Sequence, residues 1–143
     1  MDRDWTSDAG LFGQLVQHEG ERRFPYIDTV GKVSIGIGRN LTDVGISADE
    51  ESLMYANDLR RAVGDLDRRI PWWRTLDDIR QRVLIDMCFN MGWAGLSMFK
   101  NMLLAVRSGH FDDAALAMRS SKWSSQVGHR ADRLIEMMRT GEA

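Results

Sequence analysis

The chain has 143 residues, enough for one domain that buries roughly two-thirds of the surface its unfolded form exposes. Apolar residues make up 43% and charged residues 28%, an ordinary globular balance, and a formal charge of −2 argues against a nucleic-acid binder carried by bulk electrostatics. The same charge supplies no general attraction to an anionic cell wall, which would need a local basic face.

The opening MDRDWTSDAG has acids where a signal peptide has a basic region and an apolar run, and no later stretch approaches the ~18 apolar residues of a transmembrane helix. The chain is therefore expected to accumulate in the cytoplasm without membrane insertion. Residues 1 to 6 read as a loose arm that Trp5 pins to the body, with Ser7 or Asp8 capping the first helix. In LFGQLVQHE, residues Leu11, Phe12, Leu15, Val16 and Glu19 recur at helical spacing, so Glu19 shares a stripe with residues expected to face the core. Burial and the negative helix end both disfavour its charged form, which suits a general acid. His18 points about 100° away from Glu19 and reads as a surface residue.

After Gly20 the pattern changes to a hairpin. Phe24, Tyr26 and Ile27, then Val33, Ile35 and Ile37, are strand formers, and Ser34, Gly36 and Gly38 alternate with the second set. One face is thus apolar and the other nearly bare, open to a ligand close to the backbone. The turn lies in Thr29 to Lys32, around Gly31. With a three-residue loop, Val30 to Lys32, Asp28 stands directly opposite Ser34; a two-residue loop would put them on opposite faces.

Two carboxyls and a hydroxyl in one cleft suit hydrolysis of a glycosidic bond, one acid protonating the leaving oxygen and the other acting from the far side of the sugar. The segment resembles the catalytic signature of the T-even phage lysozymes, glycoside hydrolase family 24. Glu19, Gly20, Arg22, Tyr26, Asp28, Gly31, Ser34, Ile35, Gly36, Ile37 and Gly38 match E-G-x-R-x-x-x-Y-x-D-x-x-G-x-x-[ST]-I-G-I-G. The resemblance implies Glu19 as general acid, with Asp28 and Ser34 holding the attacking water. The family has threonine where Ser34 stands; serine keeps the donor and acceptor without the methyl that restricts the rotamer. The resemblance also implies a mainly helical α+β fold, a single domain over residues 1–143. Its hairpin lobe covers about 20–47, a linking helix about 48–69, and a helical lobe about 71–143 together with the N-terminal helix.

Further along, Thr42 to Gly45 reads as a short loop, and Ser47 with Glu50 has capping-box spacing at the start of a helix from about Ala48 to Arg69. In that helix Leu53, Met54, Leu59, Val63 and Leu66 form one apolar stripe. Arg39 stands where the family has a histidine paired to an acid at the position of Asp58, implying an Arg39–Asp58 ion pair. Pro71 breaks the pattern before Trp72 and Trp73, for which packing at a helix joint is favoured over sugar stacking. Thr75 is expected to open the next helix, whose run Val83 to Met91 is apolar except for Asp86 and Asn90 and holds the one cysteine, Cys88, read as a buried thiol. Asn90-Met91-Gly92 resembles the family's amide-Met-Gly, where the amide is a glutamine near the catalytic acid.

Gly92 and Gly95 mark a break, and Ser97 is expected to cap a helix to about Arg107 with a core stripe of Met98, Phe99, Met102, Leu103 and Val106. A short helix follows from Phe111. The segment from Ser121 to Ala131 resembles the family's second signature through Ser121, Lys122, Trp123, Gln126, Arg130 and Ala131. There the family's arginine, matched by Arg130, pairs with the catalytic glutamate, and residues 129–139 read as a final helix. The three histidines show no metal-ligand spacing, so no metal or cofactor is expected.

The resemblance implies a phage endolysin-type muramidase, a bacteriolytic hydrolase that cleaves the β-1,4 bond between N-acetylmuramic acid and N-acetylglucosamine of peptidoglycan, with inversion. It would act as a monomer from the host cytoplasm after a separate holin opens the membrane. Its rate should follow a bell-shaped pH profile, Asp28 setting the acid limb and Glu19 the alkaline one. The rivals are a lytic transglycosylase, which needs one carboxyl and releases anhydro ends, and a wall-binding or structural protein on the same fold.

Overall fold

The computed structural model describes residues 2–143; Met1, the first residue of the expected arm, lies outside the described residues. These residues form eight α-helices and one small antiparallel sheet, the mainly helical α+β class expected from the sequence. The elements run α1 (Ala9–Glu19), β1 (Arg22–Ile27), β2 (Val33–Gly36), β3 (Arg39–Asn40), α2 (Leu41–Val44) and α3 (Ala48–Arg69). A 3-10 turn, Pro71–Thr75, precedes α4 (Asp78–Leu96), α5 (Lys100–Arg107), α6 (Phe111–Arg119), α7 (Lys122–Val127) and α8 (His129–Thr140). The chain divides into two compact units, one ending at Ser52 and the other Leu53–Ala143.

In the first unit Asp8 is the cap of α1, its Oδ1 accepting from the Leu11 N–H at 2.7 Å. Helix α1 falls in the same compact unit as the sheet. No α1 residue is buried, and Phe12 and Leu15 are exposed. Helical spacing shows that these residues share a face; it does not show what covers the face. The sheet runs β1-β2-β3, with Tyr26 opposite Ser34, Ile27 opposite Val33, and Ser34 opposite Asn40. The register shifts between Arg22 and Tyr26, and Pro25 sits in that irregular stretch of an edge strand, where its missing N–H costs no ladder bond. The expected loop at Thr42 to Gly45 is instead part of a helical turn, α2, because the Asn40 side chain accepts from the Asp43 N–H at 3.1 Å. The Ser47 and Glu50 capping box forms as read: Glu50 N–H donates to Ser47 Oγ at 3.2 Å, and Ser47 N–H to Glu50 Oε1 at 2.9 Å.

The second unit holds every buried apolar side chain among the described residues. Ala131, Leu134, Ile135 and Met138 make the buried stripe of α8, Ala114, Ala115 and Met118 that of α6, and Val83, Leu84, Met87 and Cys88 that of α4. Helix α6 packs on α5 and α8, α4 packs on α8, and α7 touches both α6 and α8. Burial pushes the Cys88 thiol up, with a smaller contribution from Asp65. Trp73 is buried, its indole donating to Asp67 at 2.8 Å, and Trp72 packs on the same core, so both tryptophans serve packing. Arg80 lies 3.5 Å from the centre of the Phe111 ring and donates to the carbonyls of Met138 at 2.8 Å and Arg139 at 3.0 Å, closing the end of α8.

Several local expectations shift by a residue or more. Asp77, rather than Thr75, caps α4 by accepting from the Arg80 N–H at 3.0 Å, while the Thr75 hydroxyl donates to the Trp72 carbonyl. Ser97 does not cap α5, which begins at Lys100; its hydroxyl donates back to Ala94 at 2.9 Å. Gly92 interrupts α4 at φ 69°, where the break was expected. Leu53, Met54 and Met98 are exposed, so the stripes of α3 and α5 are only partly core. Trp5 is exposed with Arg3 stacked 4.3 Å from its ring centre, and pins nothing.

Candidate active site

Glu19 is the last residue of α1, and Gly20 closes that helix by donating to the Val16 carbonyl at 2.9 Å. The glutamate side chain lies across Gly38, just before β3. A Cβ at Gly38 would come within 2.9 Å of Glu19 Oε2 and 3.1 Å of its Cβ and Cγ. Gly38 also has φ +68°, which favours glycine there, and a Cβ would push the Glu19 side chain aside. Glu19 is exposed, not buried as its helical spacing predicted. A bare backbone seat positions this acid instead.

Ser34, on β2, is the one buried polar residue among those described, at 3% exposure. Its ladder partners are Tyr26 on one side and Asn40 on the other. Asp28 follows β1. Its N–H donates to the Lys32 carbonyl at 2.8 Å, and its Oδ1 accepts from the N–H groups of Val30 at 2.9 Å and Lys32 at 2.8 Å. The loop therefore has three residues, but they are Thr29 to Gly31, with Gly31 at φ +84°, and Asp28 faces Lys32 rather than Ser34. Asp28 lies two residues beyond Tyr26, the partner of Ser34, so strand alternation still carries it to the face of Ser34, one diagonal step along. Its Oδ2 takes no partner among the described residues. Arg22 stacks 4.6 Å from the centre of the Tyr26 ring.

Residues 16–140 match the family described as Phage lysozyme. The chain belongs to the phage lysozyme family. It is 26% identical over 162 aligned positions to each of two proteins of Dictyostelium discoideum, Probable T4-type lysozyme 2 and Probable T4-type lysozyme 1, over 93% of this chain and 95% of each of theirs. It is 30% identical over 134 positions to the Pre-baseplate central spike protein Gp5 of Enterobacteria phage T4, covering 90% of this chain and 23% of that protein.

The remaining lysozyme-motif residues lie in the second unit. Arg130, at the start of α8, donates through Nε at 3.1 Å and Nη2 at 2.5 Å to Asp86 Oδ1. The partner of this guanidinium within the second unit is thus Asp86. Arg130 and Asp86 border an open cavity of about 430 Å³ with Tyr55, Leu59 and Phe89. Asn90 and Gln126 are exposed and make no side-chain hydrogen bond among the described residues. No group of three or more His, Cys, Asp or Glu side chains that could hold a metal occurs among the described residues, and no helix there is long and apolar enough to cross a membrane.

Sequence reasoning missed two partners. Arg39 Nη1 donates to Glu50 Oε1 at 2.8 Å and to the Gly45 carbonyl at 3.1 Å, and Asp58 takes Arg61 at 3.1 Å. The Arg39 hydrogen bond, and then the backbone and hydroxyl of Ser47, hold the Glu50 carboxyl down to about 2. The capping box was the available signal, because it already aims Glu50 back at the segment leaving the sheet. The other missed partner, Asp86, stands on the polar edge of α4.

Proposed function

We propose that this lysozyme-family chain is a muramidase that cleaves the β-1,4 bond between N-acetylmuramic acid and N-acetylglucosamine of peptidoglycan by inversion, as a phage endolysin does. The observation that carries the reading is the seat of Glu19 against the backbone of Gly38, in the same unit as Ser34, the one buried polar residue among those described. Glu19 would protonate the leaving oxygen. Asp28, with Oδ1 fixed by two backbone N–H groups and Oδ2 unbonded, would share a water with Ser34 on the opposite side of the sugar. Inversion requires carboxyls roughly 6.5 to 9.5 Å apart in the working complex; about 5 Å would point to a covalent intermediate on Asp28.

Two lobes with an intervening helix, Arg130, Asn90 and Gln126 assisting the glutamate, a monomeric state, and passage to the wall through a holin-opened membrane complete the proposal. The names of the two Dictyostelium relatives support the lysozyme activity. The test is to incubate the protein and its Glu19→Gln variant with isolated peptidoglycan and identify the released sugars by mass spectrometry. Reducing N-acetylmuramic acid ends from the unmutated protein alone are expected. Anhydro ends would make it a transglycosylase, and no release would leave a wall-binding protein. A rate flat from about pH 4 to 9 would contradict the acid and base roles of the two carboxyls.

A further inference from the structure

We infer that Arg39 is a positioning residue for the proposed hydrolysis, its bond to Glu50 holding β3 and, through β3, both the seat of Glu19 and the ladder partner of Ser34. The inference rests on the muramidase reading above. Strand β3 is only Arg39–Asn40, too short to hold its own register. Yet Gly38, against which Glu19 packs, immediately precedes it, and Asn40 is the residue opposite Ser34. Any slip of these two residues moves the acid and the water-binding hydroxyl relative to each other.

The anchor is built to resist slipping. One nitrogen, Arg39 Nη1, serves both the Gly45 carbonyl and Glu50, so the segment leaving β3 is tied at two points. An exposed ion pair contributes little when two free side chains must be ordered to make it. Here Glu50 is already ordered, because its Oε1 also accepts from the Ser47 N–H in the capping box. The Glu50 carboxyl, held at about 2, stays charged at any pH where carboxyl catalysis runs. Asn40 adds a second fixture through its own cap of α2.

The experiment compares Arg39→Ala, Glu50→Gln, the double variant and Arg39→Lys with Asp58→Asn as control. It uses steady-state release of reducing ends from soluble peptidoglycan and the amide NMR shifts of Gly38 and Ser34. Displacing a catalytic group by about 1 Å can cost on the order of 100-fold, so Arg39→Ala and Glu50→Gln are expected to lower kcat by roughly 10- to 100-fold with KM within about twofold. The double variant should be no worse than Arg39→Ala, and Arg39→Lys should recover part of kcat, since it keeps the charge without the planar fork. Asp58→Asn should change neither kcat nor the shifts. Unchanged kcat with lowered thermal stability would reduce Arg39 to a structural role and overturn the inference, as would Asp58→Asn reproducing the loss. If the unmutated protein released no reducing ends, the muramidase reading would fail on its own; Gly38 and Ser34 shifts that stayed fixed in both Arg39→Ala and Glu50→Gln would then overturn the positioning role separately.

Discussion

The two units of this chain are held by different forces. The described residues up to Ser52 bury one polar side chain, Ser34, and no apolar one, whereas Leu53–Ala143 contains every buried apolar residue, from Ala62 to Met138. The helical unit is stabilised by removing Leu, Met, Val and Trp side chains from water. The sheet unit is stabilised by caps, turns and ion pairs: Asp8 on α1, Asp28 in the hairpin turn, Asn40 on α2, and Arg39 with Glu50. The proposed acids sit in the unit that lacks a core. Segments with few buried apolar contacts open at low free energy, which makes each polar tie count.

The comparison is tested most severely by truncating the core. Met118→Ala should cost about 2 to 5 kcal/mol of stability in urea unfolding followed by far-UV circular dichroism, because it empties a fully buried site. A loss below about 1 kcal/mol would mean that the helical unit is no better packed than the sheet unit. In the sheet unit the equivalent lever is geometric. Gly38→Ala places a methyl 2.9 Å from Glu19 Oε2 at φ +68°, and peptidoglycan hydrolysis should fall on the order of 100-fold. Nearly full activity would remove Gly38 as the seat of the acid.

Arg80→Ala asks whether polar ties matter in the helical unit as well. It frees the carbonyls of Met138 and Arg139, and a cost of about 1.5 to 3 kcal/mol is expected from charge-assisted hydrogen bonds at a mostly covered side chain. Acid titration sharpens the contrast further, since each unit has one deeply lowered carboxyl. Glu50 is held at about 2 against an ordinary 4.5, and Asp67 at about 2 against an ordinary 3.8, in the latter case chiefly by the Arg74 and then the Trp73 hydrogen bond. A lowered folded value means that each contributes stability above its ordinary value and loses it as pH falls towards 2. Thermal midpoints of the unmutated protein should therefore approach those of Glu50→Gln and Asp67→Asn between pH 5 and 2; a gap undiminished at pH 2 would contradict both ties. The smallest effect belongs to Phe24→Ala, 83% exposed on β1, where stability should stay within about 0.5 kcal/mol.

The same contrast governs what could be read in the sequence. Periodicity served the helical unit, because Leu66, Met102 and Val106, read from their spacing as core positions, are buried. It failed for Glu19 and α1, where the spacing is equally good but no residue is buried. Motif residues located the candidate site without fixing its geometry. The Asp28 turn was placed one residue late because either of two loops suits the same alternation, and only the Asp28 bonds to Lys32 choose between them. Long side chains were the least legible. Family pattern pointed Arg39 and Arg130 at acids of the other unit, and it gave no sign of the acids they take within their own, Glu50 and Asp86. Capping residues were read well at Ser47 and Glu50, and poorly at Ser97, where a lone hydroxyl was the only cue, and at Thr75, although Asp78 stands three residues on.

Trp123 is 9% exposed, meets Phe99 edge-on at 5.9 Å, and buries an indole N–H that has no acceptor among the described residues. An indole so placed has no solvent dipoles to relax around its excited state, so it should emit at the blue end of the tryptophan range. Trp5, the single tryptophan of the sheet unit, is exposed and should emit at the red end. The protein thus carries a natural two-colour optical label. Loosening of the helical core would appear as loss of the blue component, while events confined to the other unit would alter only the quenching of the red one.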